Sequence, residues 1–170
     1  MSDPRAPFSL RPAQQGDLAQ ISAIHNDIVG SSNAIFTELA ETLEDRRAWF
    51  AQRTAAGMPV LVACAGEEIL GYASYAQFRP WQGYRETVEQ TVHVRAEHRR
   101  RGVARALLEA LIARARQSAL HAIIAGIDGG NVPSIALHEG LGFKRVGLLP
   151  EVATKHGQQL DLLLMQLLLG

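Results

Sequence analysis

The segment Thr87–Val94 alternates β-branched and polar residues, a pattern that predicts a strand. A helix is predicted a few residues later, because apolar side chains recur there at helical spacing on one face. These side chains are Val103, Ala104, Leu107, Leu108, Leu111, Ile112 and Ala115. A basic loop, Arg99–Arg101 followed by Gly102, separates the two elements. The hydrophobic pattern therefore predicts a strand, a basic glycine-containing loop and a helix in succession.

The rest of the pattern predicts an order of elements that mixes hairpins with crossovers. Asp17 is expected to cap one helix, Thr42 a second helix that Gly57 ends, and Asn131 a short fourth helix after the one that carries Val103 to Ala115. Two apolar runs around Gly66–Glu68 look like a hairpin. Further strands are expected at 8–11, 60–64, 69–75, 121–127, 143–149 and 160–168, with irregular chain at 30–41 and 78–83. This order predicts an α/β fold with a mixed central sheet.

The length of the chain, 170 residues, suits one domain, which we expect to span 1–170 with its core at about 7–168. Lys and Arg together number 17, as do Asp and Glu, so no overall field attracts nucleic acid or an acidic membrane. No apolar leader or run of about 18 apolar residues is present, which favours the cytoplasm. With one cysteine, Cys64, and six histidines outside metal-ligand spacing, we expect neither a disulfide nor a metal.

The basic loop has the features of an anion site. A strand that leads through a glycine-containing turn into a helix leaves backbone N–H groups free at the positive end of the helix dipole. The spacing is neither that of a Walker loop nor that of the dinucleotide fingerprint. A solvated basic turn would have the same composition and stays an alternative reading of the loop alone.

The pattern Arg99-x-x-Gly102-x-Ala104 resembles the pyrophosphate-binding loop of the GCN5-related N-acetyltransferases. This resemblance implies acetyl-CoA as the co-substrate. The loop residues implied to contact it are Arg99, Arg100, Arg101, Gly102, Val103, Ala104 and Arg105.

A second motif, which runs from Asn131 through His138 to Gly142-Phe143, resembles another signature of the same family. There the asparagine opens a helix beside the pantetheine arm of the cofactor, and a tyrosine protonates the leaving thiolate. In this chain His138 stands at the position of that tyrosine. Each residue alone is also common in ordinary helices. The two motifs together, about 30 residues apart, identify the chain as a member of the family.

Within the family, the chain most resembles the phosphinothricin and methionine sulfoximine acetyltransferases, over nearly its whole length. The matching stretches are 33–38, 46–50, 71–75, 78–94, 155–157 and 160–162. His93, where a tyrosine is usual, and Ala104, where the loop usually ends in glycine, depart from the pattern. The resemblance implies a single-domain acetyltransferase fold, a mostly antiparallel sheet flanked by helices, and a homodimer.

The implied substrate is the α-amine of a small amino-acid analogue, such as phosphinothricin, methionine sulfoximine or methionine sulfone. A bidentate arginine suits the carboxylate of such a substrate, and Arg79 and Arg85 are candidates. Phe36 and Trp81 are candidates for the pocket wall, with ordinary core packing as the alternative. The implied substrate contacts are Phe36, Arg79, Pro80, Trp81, Arg85, Glu89, Gln90 and Thr91.

Amine acetylation needs a neutral amine, a polarised thioester carbonyl and a proton for the leaving thiol. Glu89 lies mid-strand among polar residues, and burial would raise its pKa and suit it to accept the amine proton. The resemblance implies the same role. His138 is the candidate acid, although a histidine can also relay the amine proton, so the division of roles stays open. The backbone of Val92, His93 and Val94 is implied to serve the oxyanion and the cofactor.

Two other functions remain open from the sequence. The same chemistry could act on another amine, such as a protein N-terminus or a polyamine, although no acidic cluster is present to attract a polycation. A non-catalytic acetyl-CoA-binding module would need the loop and Asn131 but neither Glu89 nor His138.

Overall fold

The computed structural model describes residues 8–170, and residues 1–7 of the expected domain lie outside them. The strands are β1 (Ser9–Pro12), β2 (Val60–Ala65), β3 (Glu68–Gln77), β4 (Thr87–Val94), β5 (Ala122–Asp128), β6 (Lys144–Lys155) and β7 (Gln158–Leu168). The helices are α1 (Leu18–Ser31), α2 (Leu43–Ala55), α3 (Val103–Gln117) and α4 (Val132–Gly140). Among the helices of this described part, none is long and apolar enough to cross a membrane.

The strands form one seven-stranded sheet in the order β1-β2-β3-β4-β5-β7-β6. All neighbouring pairs are antiparallel except β4 and β5. The predicted α/β fold with a mixed, mostly antiparallel sheet is confirmed. The β4–β5 pairing covers only Thr87–Gln90 against Ala122–Ala125, although both strands continue. One edge of β4 therefore has no strand partner from Thr91 to Val94, and the sheet is open there.

Helices cover both faces of this sheet, and strand alternation divides its side chains between two cores. Ala63 and Ala73 belong to the core that contains α3, whereas Val62 and Tyr72 belong to the core that contains α1. Successive residues of a strand point to opposite faces. On β4, Val88 packs in the α3 core, so Gln90 shares that face and Glu89 points to the other.

Helix ends follow the predicted capping signals in two cases. The Thr42 hydroxyl accepts the N–H of Asp45 at 3.1 Å, which caps α2. The Asn131 side chain accepts the N–H of Ser134 at 3.2 Å, which caps α4. Both side chains satisfy an N–H that the helix itself leaves without a partner.

The prediction that Asp17 caps the first long helix is wrong. Asp17 precedes α1 but makes no side-chain cap to it. Its carboxylate instead accepts from Arg11 at 2.7 Å and from the N–H of Gln14 at 2.7 Å. The arginine lies on a neighbouring element, so a tertiary ion pair takes the carboxylate that a local cap would have used.

The prediction that the sixth strand ends at residue 149 is also wrong. Strand β6 continues to Lys155 and pairs with β7, with irregularities between Arg145 and Gly147 and between Leu149 and Ala153. Pro150 lies in the second irregularity, where a strand tolerates it. This edge strand is largely exposed, and its exposed large apolar side chains are Val146, Leu148, Leu149 and Val152.

Candidate active site

A cavity of about 440 Å³ lies where β4 and β5 separate. It brings together eight of the predicted site residues: Phe36, Glu89, Gln90, Thr91, Val92, His93, Asn131 and His138. They come from the α1–α2 connection, from β4 and from α4. Glu89 and Gln90 are the last residues of β4 that pair with β5, and they reach the cavity from opposite faces of the strand.

Glu89 is half-buried on β4, beside the backbone of Gly126 on β5. A Cβ at position 126 would lie 3.0 Å from Glu89 Oε1, so glycine leaves the space that the carboxylate occupies. Burial raises the pKa of Glu89, and the positive charge of Arg79 acts in the opposite direction. A half-buried carboxylate with a raised pKa can accept a proton from an amine at neutral pH.

His138 is buried on α4, with both ring nitrogens in contact with neighbouring groups. Its Nδ1 lies 2.7 Å from the carbonyl oxygen of Ser134, and its Nε2 lies 2.8 Å from Nε2 of Gln90. The ring packs edge-on against Phe143 at 5.1 Å. Burial lowers the pKa of His138, opposed by the hydrogen bond to Ser134. The histidine is therefore neutral at physiological pH in the free protein.

The basic loop lies outside the cavity, in the predicted conformation of a turn that leads into a helix. Gly102 has φ +80° and precedes α3, which no side chain caps. Within the described residues, the first backbone bond of this helix runs from the N–H of Ala106 to the Gly102 carbonyl. The N–H groups from Gly102 to Arg105 thus have no hydrogen-bond partner among residues 8–170, and exposed arginines surround them. Such an end of a helix suits a phosphate group.

The predicted cofactor contacts on β4 divide between the cavity and the core. Val92 and His93 line the cavity, whereas Val94 is buried against α3. Val92 and His93 pair with Ala73 and Tyr72 of β3 along one edge, and their other edge is the open one. Backbone groups on that open edge are available to a ligand with amide groups of its own.

The segment predicted to contact substrate through Arg79, Pro80 and Trp81 is exposed and does not line the cavity. Arg79 lies over the Phe78 ring at 4.2 Å, and its charge reaches Glu89. Trp81 is 74% exposed. The guanidinium of Arg85 pairs with Glu86 at 3.1 Å on the surface. Substrate contact by this segment therefore stays a prediction.

A buried polar cluster on the cavity wall was missed by the sequence reasoning. Arg46 donates from Nε and Nη2 to the two carboxylate oxygens of Glu41, at 2.6 and 2.8 Å, and lies over the Trp49 ring at 4.4 Å. His25 approaches the same carboxylate at 3.7 Å. A possible signal was available, because helical spacing places Arg46 on the apolar face of α2 with Trp49.

Two histidines of this wall are neutral for physical reasons. Burial, together with the nearby His25 and Arg46, lowers the pKa of His93 to about 3. Burial also lowers the pKa of His25, with Glu41 opposing. The carboxylates of the cavity, Glu41, Glu89 and Asp128, therefore face one arginine, Arg46, which Glu41 already engages. Among the residues that line the cavity, carboxylates thus outnumber cations, with Arg79 acting on Glu89 from outside the lining.

Potential metal ligands meet at one place in the described residues, where Glu68, Glu97 and His98 lie within 4.8 Å of one another on the surface. They do not line the cavity. His98 pairs there with Glu68 at 3.0 Å.

The sequence matches the pattern of the family described as "Acetyltransferase (GNAT) family" over residues 22–143. The L-methionine sulfoximine/L-methionine sulfone acetyltransferase of Pseudomonas aeruginosa is 49% identical over 160 residues, which cover 94% of this chain and 93% of the relative. The phosphinothricin N-acetyltransferase of Alcaligenes faecalis is 36% identical, over 95% of this chain and 83% of the relative.

Solved structures agree with the fold over nearly the whole chain. The ribosomal-protein-alanine N-acetyltransferase from Brucella melitensis superposes with a TM-score of 0.92 at 44% identity, covering 94% of this chain and 99% of the other. The putative acetyltransferase yncA from Salmonella typhimurium, solved with its cofactor acetyl-CoA, superposes with a TM-score of 0.94 at 38% identity, covering 96% and 95%.

Proposed function

The chain belongs to the acetyltransferase (GNAT) family, and from this premise we propose that it acetylates the α-amine of a small amino-acid analogue with a neutral polar side chain, as in methionine sulfoximine or methionine sulfone. The observation that carries the proposal is the position of Glu89. Its half-buried carboxylate lies at the opening of the sheet, in one cavity with Asn131 and His138.

Glu89 is the proposed base. An α-ammonium group must lose a proton before its nitrogen can attack a carbonyl, and the raised pKa of Glu89 makes its carboxylate a better acceptor than an ordinary exposed one. Asp128 lines the same cavity and adds to the negative charge that attracts the ammonium. The carboxylate of Glu89 then passes the proton to solvent through the open side of the site.

The residues present fit acetyl-CoA, which when bound supplies the activated acetyl thioester. The unpaired N–H groups from Gly102 to Arg105 and the surrounding arginines would hold its pyrophosphate. The open edge of β4 at Val92 and His93 would pair with the amides of the pantetheine arm and polarise the carbonyl. Asn131 would contact the same arm, and His138 would return a proton to sulfur. The proposal places the enzyme in the cytoplasm, where acetyl-CoA is available.

The charge of the cavity supports a neutral substrate side chain over an anionic one. A phosphinate, as in phosphinothricin, would add a negative charge among Glu41, Glu89 and Asp128, while the one arginine of the wall, Arg46, is engaged by Glu41. The sulfone and sulfoximine groups carry no such charge. Because like charges at close range repel, we expect the neutral analogues to have the higher kcat/KM.

We also propose a homodimer. The edge strand β6 exposes Val146, Leu148, Leu149 and Val152, and edge strands with exposed apolar side chains are sites of association. Multi-angle light scattering at micromolar concentration should give twice the 18.5 kDa of the chain. Val152→Glu should shift the mass toward the monomer, whereas an unchanged mass would remove β6 from the interface.

The test of the function is release of free thiol from acetyl-CoA in the presence of a panel of amines. The panel contains methionine sulfone, methionine sulfoximine, phosphinothricin, an alanine-terminated peptide and a polyamine. We expect the fastest release with the sulfone and sulfoximine and slower release with phosphinothricin. A faster rate with phosphinothricin would contradict the charge argument. A uniform background rate with every amine would favour a binding module.

A further inference from the structure

The contact between Gln90 and His138 constrains the protonation of a histidine that solvent does not reach. His138 is 1% exposed and Gln90 is 8% exposed. The Ser134 carbonyl can only accept, so the Nδ1 of His138, 2.7 Å away, must carry a hydrogen. In the neutral ring Nε2 is then a bare acceptor, and the Gln90 amide nitrogen, 2.8 Å away, donates to it.

The same amide has an unused acceptor. Among the buried side-chain atoms of the described residues, Gln90 Oε1 is one of the few without a hydrogen-bond partner. A buried polar atom without a partner is costly unless another state of the site uses it. A half turn about the Cγ–Cδ bond exchanges the oxygen and nitrogen of the amide and would place Oε1 opposite Nε2. That arrangement requires a hydrogen on Nε2.

We propose that Gln90 is a positioning residue that holds His138 in both of its protonation states: its amide donates to Nε2 of the neutral ring and turns to accept from Nε2 of the imidazolium. Its catalytic consequence rests on the function proposed above. Of the two protons that the substrate ammonium loses, one reaches Glu89. The other would pass through Nε2 of His138 to the sulfur of coenzyme A as the carbon–sulfur bond breaks and the amide bond forms. Because Nε2 has a single in-plane position for a hydrogen bond, the Gln90 amide leaves that position while the proton moves and holds the ring before and after the transfer.

The charged side chains near His138 are paired with other groups, so the positioning of its ring falls to Gln90. Glu139, its neighbour on α4, pairs with Arg145 at 2.8 Å on the surface. Arg105 of α3 approaches α4 at Gly140 but pairs with Glu109 at 3.5 Å. Phe143 packs against the His138 ring at nearly a right angle and carries no charge.

The remaining titratable groups near the ring belong to the cavity. Glu89 points to the opposite face of β4 from Gln90, and Asp128 lines the cavity from β5. Neither carboxylate is hydrogen-bonded to the imidazole within the described residues. Among the described residues, Gln90 is therefore the one side chain hydrogen-bonded to Nε2, and its amide is placed to set the proton there.

The test is a pH titration of the His138 ring by nitrogen-15 NMR in the wild type, Gln90→Glu and Gln90→Met. At neutral pH the wild type should show a neutral ring with its hydrogen on Nδ1. Gln90→Glu should raise the pKa of His138 by about one to three pH units, because a carboxylate replaces the amide at the same distance. Gln90→Met should lower that pKa, since it removes the acceptor for the imidazolium. The exposed Gln52→Met is the matched control and should leave the titration unchanged.

Kinetics separate this role from a structural one. Gln90→Met should lower kcat by up to about a hundredfold, the lower end of what a general acid contributes, without raising KM for acetyl-CoA. Equal His138 pKa values in all the variants, or a wild-type ring protonated on Nε2 alone, would overturn the proposal. If the pKa values move as expected but His138→Gln keeps full turnover, the coupling stands and the acid role proposed for His138 is wrong.

Discussion

The two sides of the proposed active site are built in different ways. The donor side, proposed to bind the acetyl donor, is the contiguous stretch Arg99–Arg105, which is exposed at the start of α3. The free N–H groups of this stretch follow from the local backbone conformation. The acceptor side is a buried wall in which Glu41, Arg46 and Tyr72 come from separate segments and neutralise or pack against one another. The donor side thus depends on conformation and exposed charge, and the acceptor side on pairing among buried groups.

This difference has a consequence for sequence changes. A substitution on the donor side should act on one ligand and leave the fold intact. A substitution on the acceptor side should change the fold, the proton chemistry or the substrate preference, because its groups are buried and depend on each other.

The largest effect is expected on the acceptor side, from Glu89→Gln. This change removes the proton acceptor, so kcat/KM for the amine should fall by about 10²–10⁴-fold with acetyl-CoA affinity unchanged. In the wild type, activity should fall as the pH drops through the pKa of Glu89, which burial raises above the ordinary 4.5. The variant should lose this acid limb in a pH–rate profile. Exposed Glu67→Gln is the control, and an acid limb that persists in the variant would place the base elsewhere.

The next effect tests the buried pairing of the same wall. Arg46→Met leaves the partly buried Glu41 carboxylate without its main partner, which should lower the free energy of unfolding by about 3 kcal/mol. Arg47→Met on the same helix removes only an exposed pair with Glu44 at 3.5 Å and should cost less than about 1 kcal/mol. Urea denaturation measures both. A similar loss of unfolding free energy in the two variants would show that the buried pair stabilises the fold no more than the exposed pair does.

On the donor side, Gly102→Glu should weaken acetyl-CoA binding by roughly a hundredfold, which corresponds to the loss of about two charge-assisted hydrogen bonds. Gly102 has φ +80° and open space around it, so the new side chain adds charge and backbone strain but no clash. Gly57, at φ +67° and also in open space, gives the matched control Gly57→Glu. Calorimetric titration with acetyl-CoA should detect the loss in the first variant alone. Equal losses in both would point to strain and not to an anion site.

The smallest effect is expected at the rim between the two sides. Arg79 is exposed, so Arg79→Ala should raise KM for carboxylate-bearing amines by only about tenfold, the worth of one charge-assisted hydrogen bond of about 1.5 kcal/mol. The same substitution removes a positive charge near Glu89 and should raise the pKa seen in the acid limb. Amines without a carboxylate should keep their KM. If KM for these amines rises as much as KM for the carboxylate-bearing ones, Arg79 does not bind the carboxylate.

The fold was predictable because its signals are local and repeated. Alternation in β4, the helical spacing of α3 and the caps Thr42 and Asn131 all lie in short stretches of chain, and the structure has them as expected. The cap at Asp17 was misjudged because Arg11 on β1 and the N–H of Gln14 take its carboxylate. The predicted end of β6 at residue 149 was wrong for another reason. Pro150 interrupts the strand pattern in the sequence, whereas pairing with β7 continues the strand to Lys155.

The candidate site divides in the same way. The sequence by itself determined the glycine turn before α3, the helix cap at Asn131 and the place of the glutamate on β4, because backbone conformation and strand alternation are properties of neighbouring residues. Only the tertiary structure decided that β4 and β5 part after Gln90, that Glu41 engages Arg46, and that Gln90 meets His138. The first and the last depend on contacts between residues far apart in the chain. The Glu41–Arg46 pair is only five residues apart, but its burial depends on the tertiary structure.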